Sequence, residues 1–570
     1  MRQPPAPVSE LRIRHRRPQR SGRVSPLTLA ASLALAFTPA GSGAAPAAAP
    51  LTAQTLAAAV VMAAVTTTAP AHPASISGPS VSWLLAANDA DIARAMAQAQ
   101  AEKKPLLLYW GAGWCPPCNQ LKATLFNRRD FAAQARALVA VHVDGDRPGA
   151  QKLGQRFKVN GYPTLLLMNA DGSEITRLPG EAEPEQVLAL LQLGMAGGRP
   201  VKAVLADARA GKPLSAGEWR MLAFHSWDTD DTLVTQADLP GLLVQLAAAS
   251  PPADTEVNNR LWLKALAASD EGKGVKPDAA LRQRVNRVLA DPAQARLFVD
   301  VLTGGAADTV RTLSDEDAPD RAPLVAAFEA TLKRFEADAT LSRGDRIGAL
   351  VARIELGRLG QSKDDVRPKL PAPLLNDVRE HVARVDREIT DAYERQAVIT
   401  AAAYALGLAG LWDDSDALLK ANLAKSHSPY YLMSQLGSNA KTLGRKDEAL
   451  RWYEQAFVKS EGPATRLQWG AGYLSALVEL APKDAARIEK TAAQLLTEAG
   501  KDSAAFEGRS ARSLQRASNK LVGWNADGKQ AAVIKRLRAQ ADGLCSKLGQ
   551  ADGERAACEA LLKPAAKKSE

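Results

Sequence analysis

Two cysteines separated by two prolines are the residues of this sequence best suited to chemistry. Cys115 and Cys118 lie in the segment Trp114-Cys115-Pro116-Pro117-Cys118, after an apolar run and a Gly-Ala-Gly turn. This order predicts a strand followed by a helix, and the unpaired amides at a helix N-terminus stabilise a thiolate. We therefore predict that Cys115 is an exposed nucleophile, and that Cys118 resolves the mixed disulfide that it forms.

Two other roles for the pair compete with the redox role. A zinc site would need further ligands, but the other two cysteines are not spaced as a second C-x-x-C, and no histidine is close to Cys115 in sequence. An inert structural disulfide would be buried, which a helix start after Trp114 does not favour. The sequence therefore predicts a redox pair, without metal and without cofactor.

The remaining cysteines, Cys545 and Cys558, flank a Gly-Gln-Ala-Asp-Gly turn between two helical patterns. A hairpin of these helices would bring the two sulfurs together, so we expect a structural disulfide in an exported chain. Two reduced core cysteines, or a second redox partner for Cys115, are the alternatives.

The elements around the redox pair alternate between apolar runs and helical patterns. Asn88, with Asp91 three positions later, predicts the start of a helix that runs to about Lys103. Short apolar runs predict buried strands, and Asp171-Gly172 marks a hairpin. The predicted strands cover residues 106–110, 138–144, 164–168 and 174–178.

Residues from about 86 to 196 resemble the thioredoxin superfamily. The Trp-Cys-Pro-Pro-Cys segment matches its redox centre, and Gly161-Tyr162-Pro163-Thr164 matches the loop that carries a cis-proline opposite that centre. The resemblance implies an α/β thioredoxin fold, a central mixed sheet flanked by helices, over residues 84–197. It also implies that Pro163 is cis, and that the backbone of its loop pairs with an extended substrate beside the attacking sulfur. Trp114, Tyr162 and Pro163 are therefore the candidate substrate-binding residues, and core packing is an equally open role for Trp114.

The resemblance has departures that concern proton transfer. The buried acid of the family, six residues before the first cysteine, is Tyr109 in this sequence, and the lysine that often accompanies it is Ala140.

Pro116 and Pro117 also remove two amide donors from the Cys115 sulfur. Fewer donors stabilise the thiolate less, and a less stabilised reduced form is the better reductant. We therefore expect a reducing or relaying role.

Residues 201–570 show helical spacing, with short breaks at Gly, Pro and Asp, and predict a large all-α domain. Within it, two tandem units at about 398–462 resemble tetratricopeptide repeats. The second unit matches that repeat at Leu436, Gly437, Ala449, Tyr453 and Ala456.

The N-terminal residues resemble a targeting segment. Seven arginines and one acid occupy the first 24 residues, and account for more than half of the net charge of +10. An apolar run and small residues follow, so residues 1–49 are predicted to be a signal peptide region, and residues 50–83 a flexible lead-in. The small remaining charge gives no reason to expect a nucleic-acid partner, and the membrane is a partner only if the N-terminal segment is retained.

Together these features predict a periplasmic or otherwise exported thiol–disulfide oxidoreductase. Its partners would be protein thiols and disulfides, together with an unidentified upstream redox donor. The alternative is a helical-repeat scaffold that binds proteins and carries a weakly active thioredoxin-like module. The size of the helical region keeps this alternative open.

Overall fold

The computed structural model describes residues 81–180, 183–227, 229–269, 273–502, 504–549 and 553–563. The predicted signal peptide region, and all of the predicted lead-in except residues 81–83, lie outside the described residues. Trp83, at the end of that lead-in, packs against the rings of Tyr109, Phe126 and Phe131. Its indole therefore belongs to the core of the redox part.

Five strands form one mixed sheet in the order β1-β3-β2-β4-β5. The strands are β1 Leu84–Ala86, β2 Leu106–Gly111, β3 Val139–Asp144, β4 Thr164–Met168 and β5 Glu174–Leu178. β3 pairs in parallel with β1 and β2, whereas β4 pairs antiparallel with β2 and β5. Every residue of the central strand β2 is buried, as its continuous apolar run predicts.

Helices lie between and after these strands. They are α1 Asp89–Glu102, α2 Pro116–Leu121, α3 Arg129–Ala135, α4 Ala150–Arg156 and α5 Pro184–Met195. Asn88 and Asp91 form the predicted capping box at the start of α1. A π-helical turn, Lys122–Phe126, continues α2. The predicted α/β thioredoxin fold is confirmed.

After residue 200 the described residues contain helices and no strand of the sheet, which confirms the predicted all-α part. The helices up to residue 357 are α6 Val201–Arg209, α7 Ala216–Phe224, α8 Leu239–Ala249, α9 Thr255–Ala268, α10 Ala279–Ala290, α11 Pro292–Arg296, α12 Val299–Leu313, α13 Arg321–Ala337 and α14 Arg343–Gly357. The later ones are α15 Ala372–Glu388, α16 Ala392–Leu408, α17 Trp412–Asn422, α18 Pro429–Thr442, α19 Lys446–Lys459, α20 Pro463–Leu480, α21 Ala485–Ala499, α22 Gly508–Trp524, α23 Ala531–Cys545 and α24 Gly553–Glu559.

The segment predicted to contain tetratricopeptide-like units is helical. α18 and α19 pack closely against each other, and a Cβ added at Gly437 would lie 2.9 Å from the Tyr453 ring. The small residue therefore makes room for the aromatic one, as the predicted pattern requires. The repeat assignment itself stays a prediction.

The helical part contacts the thioredoxin-like part on more than one side. Near its start, a buried network joins β5 to the loop after α7, where His225 Nε2 donates to Asp230 and His225 Nδ1 accepts from the Thr176 hydroxyl. Much later in the chain, Gln151 in α4 accepts from the backbone amide of Arg509 in α22. One hydrophobic cluster accordingly includes residues of both parts.

Among the residues described, no helix combines the length and apolar character needed to cross a membrane.

Candidate redox site

Cys115 and Cys118 are disulfide-bonded at the N-terminus of α2, with their Cα atoms 5.2 Å apart. Cys115 is the N-cap of this helix, and the backbone N–H of Cys118 lies 3.2 Å from the Cys115 sulfur. Pro116 begins the helix, where its missing N–H costs nothing. The strand, turn and helix therefore hold the pair as the sequence predicts.

The loop that was expected to oppose the disulfide has the expected backbone. The Tyr162–Pro163 peptide bond is cis, and Thr164 Oγ1 donates to Gly161 O at 2.8 Å. The Tyr162 hydroxyl accepts from Gln151 Nε2 at 3.1 Å. A Cβ at Gly145 would lie 2.0 Å from that hydroxyl, so only glycine fits beneath the Tyr162 ring.

The disulfide is buried, which differs from the predicted exposure of Cys115. Cys115 is 2% exposed and Cys118 is fully buried. The physical reason is the helical part, which lies over the Trp-Cys-Pro-Pro-Cys segment. We call the residues that contact this segment, or Gly113 just before it, the helical cover: Gln396, His427, Tyr431, Thr465, Trp469 and Arg509.

Hydrogen bonds hold the backbone before Cys115 to the helical cover. Gln396 Nε2 in α16 donates to Trp114 O at 3.2 Å. His427 Nε2, just before α18, donates to Gly113 O at 2.9 Å. The two carbonyls that precede the redox pair are therefore bound by side chains from residues about 300 positions later in the chain.

The Trp114 side chain is also held by the helical cover. Its Nε1 donates to Thr465 Oγ1 at 2.7 Å and to Asp146 Oδ2 at 3.0 Å. Its ring stacks on Tyr431 at 5.9 Å, and packs at 5.1 Å against Trp469. The Trp114 face predicted to bind substrate is therefore occupied by residues of this chain.

Arg509 fills the space between the Trp114 and Tyr162 rings. Its guanidinium lies 5.1 Å from the centroid of each ring, and its Nη2 donates to Asp146 Oδ1 at 2.7 Å. Thr465 Oγ1 also donates to Asp146 Oδ1, at 2.5 Å. Asp146 is thus the acceptor that connects the redox part to α20 and α22.

Two glycines allow this close approach. Gly462 precedes α20 with φ of 80°, and a Cβ there would lie 2.6 Å from Asp146 Cβ. Gly508 begins α22 with φ of 50°, and a Cβ there would lie 2.9 Å from Gln151 O. The start of α20 therefore approaches Asp146, and the start of α22 approaches Gln151.

Two titratable groups in the core of the redox part, Tyr109 and His142, have strongly shifted pKa values. Burial raises the pKa of Tyr109, whose hydroxyl has no hydrogen-bond partner among the described residues. Burial, reinforced by Lys122, lowers the pKa of His142 to about 4, and this imidazole stacks on the Tyr109 ring at 4.8 Å. Tyr109 and His142 are therefore both uncharged near pH 7, unlike a carboxylate.

Lys122 and Asp144 are the charged pair in this region. Burial lowers the pKa of Lys122 and raises that of Asp144, and each charge partly offsets the effect of burial on the other. The Lys122 ammonium lies 5.0 Å over the Tyr393 ring of α16. The Lys122 ammonium therefore interacts with Asp144 of the redox part and with Tyr393 of the helical part.

Cys545 and Cys558 are also disulfide-bonded, with Cα atoms 5.6 Å apart, and both are buried. The bond joins the end of α23 to α24. No group of three or more His, Cys, Asp or Glu residues that could hold a metal occurs in the described part of the chain. The four cysteines thus form two separate pairs.

Sequence reasoning missed the helical cover and its acceptor. The sequence indicated Asp146 only weakly, as an acidic residue shortly after the end of β3. Thr465 and Arg509 had none, because they lie more than 300 residues from the atoms that they contact. Only the folded path of the chain brings them to the disulfide.

Comparison with known proteins places this geometry in context. Residues 92–194 match the family model of a thioredoxin-like domain, and this segment contains the Cys115–Cys118 pair. The chain is 32% identical over 128 residues to the thiol:disulfide interchange protein DsbD 2 of Pseudomonas aeruginosa, which is 22% of this chain and 20% of that protein.

Similar relatives come from other bacteria. The thiol:disulfide interchange protein DsbD of Vibrio vulnificus is 30% identical over 116 residues, 20% of each chain. That of Yersinia pestis is 32% identical over 98 residues, 16% of each chain. The chain therefore spans about a fifth of the length of the relatives that it matches. The likeness supports thiol–disulfide oxidoreductase chemistry in the thioredoxin-like part.

Proposed function

We propose that the chain is an exported thiol–disulfide oxidoreductase that reduces protein disulfides, or relays electrons to them, through Cys115 and Cys118. The observation that carries the proposal is the position of this pair at the N-terminus of α2 in a thioredoxin-like domain. The cis peptide before Pro163 and the match to thiol:disulfide interchange proteins add support.

The proposed reaction begins with the reduced pair. The Cys115 thiolate attacks a partner disulfide, forming a mixed disulfide and releasing one partner thiolate, which takes up a proton. The Cys118 thiolate then attacks the Cys115 sulfur, forming the intramolecular disulfide and releasing the second partner thiolate. Two electrons pass to the partner, and an upstream protein dithiol then reduces the Cys115–Cys118 disulfide again.

The direction of transfer is argued from amide donors. Pro116 and Pro117 have no N–H, so the Cys118 N–H is the amide of the first turn that reaches the Cys115 sulfur. A thiolate with few donors is less stabilised, which favours the disulfide form and makes the dithiol a reductant. A measured potential as high as about −120 mV would contradict this direction.

The partners and location follow from the same proposal. Proteins with thiols or disulfides would bind across Trp114, Tyr162 and Pro163, and Cys545–Cys558 would serve as a structural disulfide. The relatives are named for thiol:disulfide interchange, and the arginine-rich N-terminal segment resembles a targeting signal. We infer a periplasmic or similarly exported location, where such disulfides persist.

A second candidate function is favoured by the burial of the redox pair. A cysteine that is only 2% exposed does not react with a protein partner until the helical cover moves. If the cover does not move, the chain is a helical scaffold with an inactive thioredoxin-like module.

Trapping of covalent partners separates the two functions. In the Cys118→Ala variant the mixed disulfide on Cys115 is not resolved, so partners from an extract of exported proteins should accumulate as complexes that reducing agent releases. The Cys115→Ala variant is the matched control, because its remaining sulfur is the more buried one. Absence of complexes, together with no insulin reduction by the wild type, would favour the scaffold.

A further inference from the structure

The contacts of Arg509 resemble those of a bound ligand. Three residues of the thioredoxin-like part, Trp114, Tyr162 and Asp146, surround its guanidinium, and Gln468 of α20 accepts a further hydrogen bond from it. Trp114 precedes Cys115 and Tyr162 precedes Pro163, so the site lies between the two segments that flank the disulfide. Arg509 itself lies in α22, which belongs to the helical part.

We propose that Arg509 occupies the place of a substrate arginine, and that an arginine-bearing partner displaces it to reach Cys115. The inference rests on the proposed function and adds to it a substrate class. Asp146 is then a specificity-determining residue, and Arg509 is an internal competitor that keeps the site closed.

The chemistry of the site suits a guanidinium better than other cations. A planar, weakly hydrated guanidinium stacks on aromatic rings and donates to a carboxylate at the same time, whereas an ammonium is a compact and strongly hydrated charge. The Arg509 side chain is 14% exposed and that of Asp146 is 13% exposed, so the pair is largely shielded from water. Such shielding strengthens the contact.

The contact is also incomplete, which allows exchange. Arg509 Nη1 donates to Gln468 Oε1 and Nη2 donates to Asp146, but Nε is buried and has no hydrogen-bond partner among the described residues. An unpaired buried donor makes a site weaker than a fully satisfied one. A partner arginine whose own Nε finds an acceptor would therefore compete effectively with Arg509.

Departure of Arg509 would remove one part of the helical cover and leave an acidic, aromatic groove beside the redox pair. Asp146 would lose the cation that balances its charge, while Trp114 and Tyr162 would keep their faces for a new guanidinium. An extended segment with arginine close to its disulfide cysteine supplies both the cation and the sulfur. This is the partner chemistry that the groove selects.

The test uses pre-reduced full-length protein and two disulfide-linked peptide dimers. The dimers are identical except that an arginine beside each cysteine is citrulline in the second dimer, which keeps the shape and removes the charge. The rate of dimer reduction is followed in single turnover. The wild type should reduce the arginine dimer about tenfold faster, the ratio that one good charged contact supports.

Variants identify the residues that determine this ratio of reduction rates. Asp146→Asn should bring the ratio close to one. Arg509→Ala should accelerate reduction of both dimers severalfold while the arginine preference remains, and Arg509→Lys provides a milder change with the charge retained. Arg536→Ala removes an exposed arginine that pairs with Glu489 in the same part of the chain, and should change neither rate.

Equal rates on the two dimers in an active wild-type protein would overturn the selection of arginine and leave the proposed function intact. An Arg509→Ala or Arg509→Lys protein that is folded but no faster than the wild type would overturn the role of Arg509 as competitor. If no variant reduces either dimer, both the inference and the proposed function are wrong.

Discussion

Replacement of Thr465 by valine tests whether the helical cover opens locally. Thr465 is fully buried in the first turn of α20, where its hydroxyl accepts from Trp114 Nε1 and donates to Asp146 Oδ1. Valine has nearly the same shape and neither hydrogen bond. We expect the closed arrangement to weaken and Cys115 in the reduced protein to become more reactive.

The magnitude follows from the two lost hydrogen bonds. One joins neutral groups and the other ends on a carboxylate, and Trp114 Nε1 keeps its contact with Asp146 at 3.0 Å. The net loss is about 1–3 kcal/mol. If Cys115 reacts only from the open state, its reactivity should rise about 5- to 150-fold with the open population.

The assay is the rate at which iodoacetamide alkylates Cys115 in reduced full-length protein, measured by peptide mass spectrometry. Two matched variants accompany it. Thr465→Ser keeps the hydroxyl, and should behave like the wild type. Thr331→Val removes a fully buried hydroxyl from α13 whose partners, the carbonyls of Leu289 and Ala327 and the Arg334 guanidinium, lie outside the helical cover, so it should lower stability without exposing Cys115.

Two results would refute the reasoning. Equal acceleration in Thr331→Val and Thr465→Val would mean that Cys115 is exposed by global unfolding rather than by local opening. A Thr465→Val protein that is alkylated at the wild-type rate would mean that these hydrogen bonds do not hold the cover closed.

Three further predictions concern stability. The joint change of Cys545 and Cys558 to alanine removes a link across 13 positions, and should lower the unfolding free energy in urea by about 3 kcal/mol with unchanged insulin reduction. Burial raises the pKa of Glu355 to about 7, so the folded state keeps a proton that the unfolded state releases near 4.5, and stability is lost as pH rises through this window. Glu355→Gln should remove that loss, up to about 3 kcal/mol between pH 4.5 and 8 in urea titrations. Asp230→Asn should weaken the buried bond to His225 and lower the unfolding free energy by about 3 kcal/mol in calorimetry.

Local chemistry made the thioredoxin-like part predictable from the sequence. The apolar run before Cys115, the prolines after it and the Asn88 capping box each act within a few residues, so their effect on the backbone shows in the sequence itself. Pro163 was recognisable through its neighbours in a motif. The short strand Leu84–Ala86 escaped prediction, because three residues carry too little periodicity to be distinguished from a loop.

The state of the redox site was not predictable in the same way. Exposure of Cys115 was inferred from its position at a helix start, but burial depends on what the rest of the chain places over it. Gln396 and Arg509 lie in ordinary helices, and the residues beside them in sequence do not indicate which distant residues they contact. Contacts between residues so far apart in sequence depend on how all the helices pack together, which single-residue patterns do not encode.

The wide sequence separation within the redox site also orders events during biosynthesis. Cys118 leaves the ribosome long before Arg509, and at roughly 5–20 residues per second the intervening chain of about 400 residues takes about 20–80 s to emerge. During that interval the helical cover is incomplete, so the nascent dithiol is not yet fully shielded by its own chain. Its first encounter with an oxidant or a partner therefore precedes completion of the molecule that later encloses it.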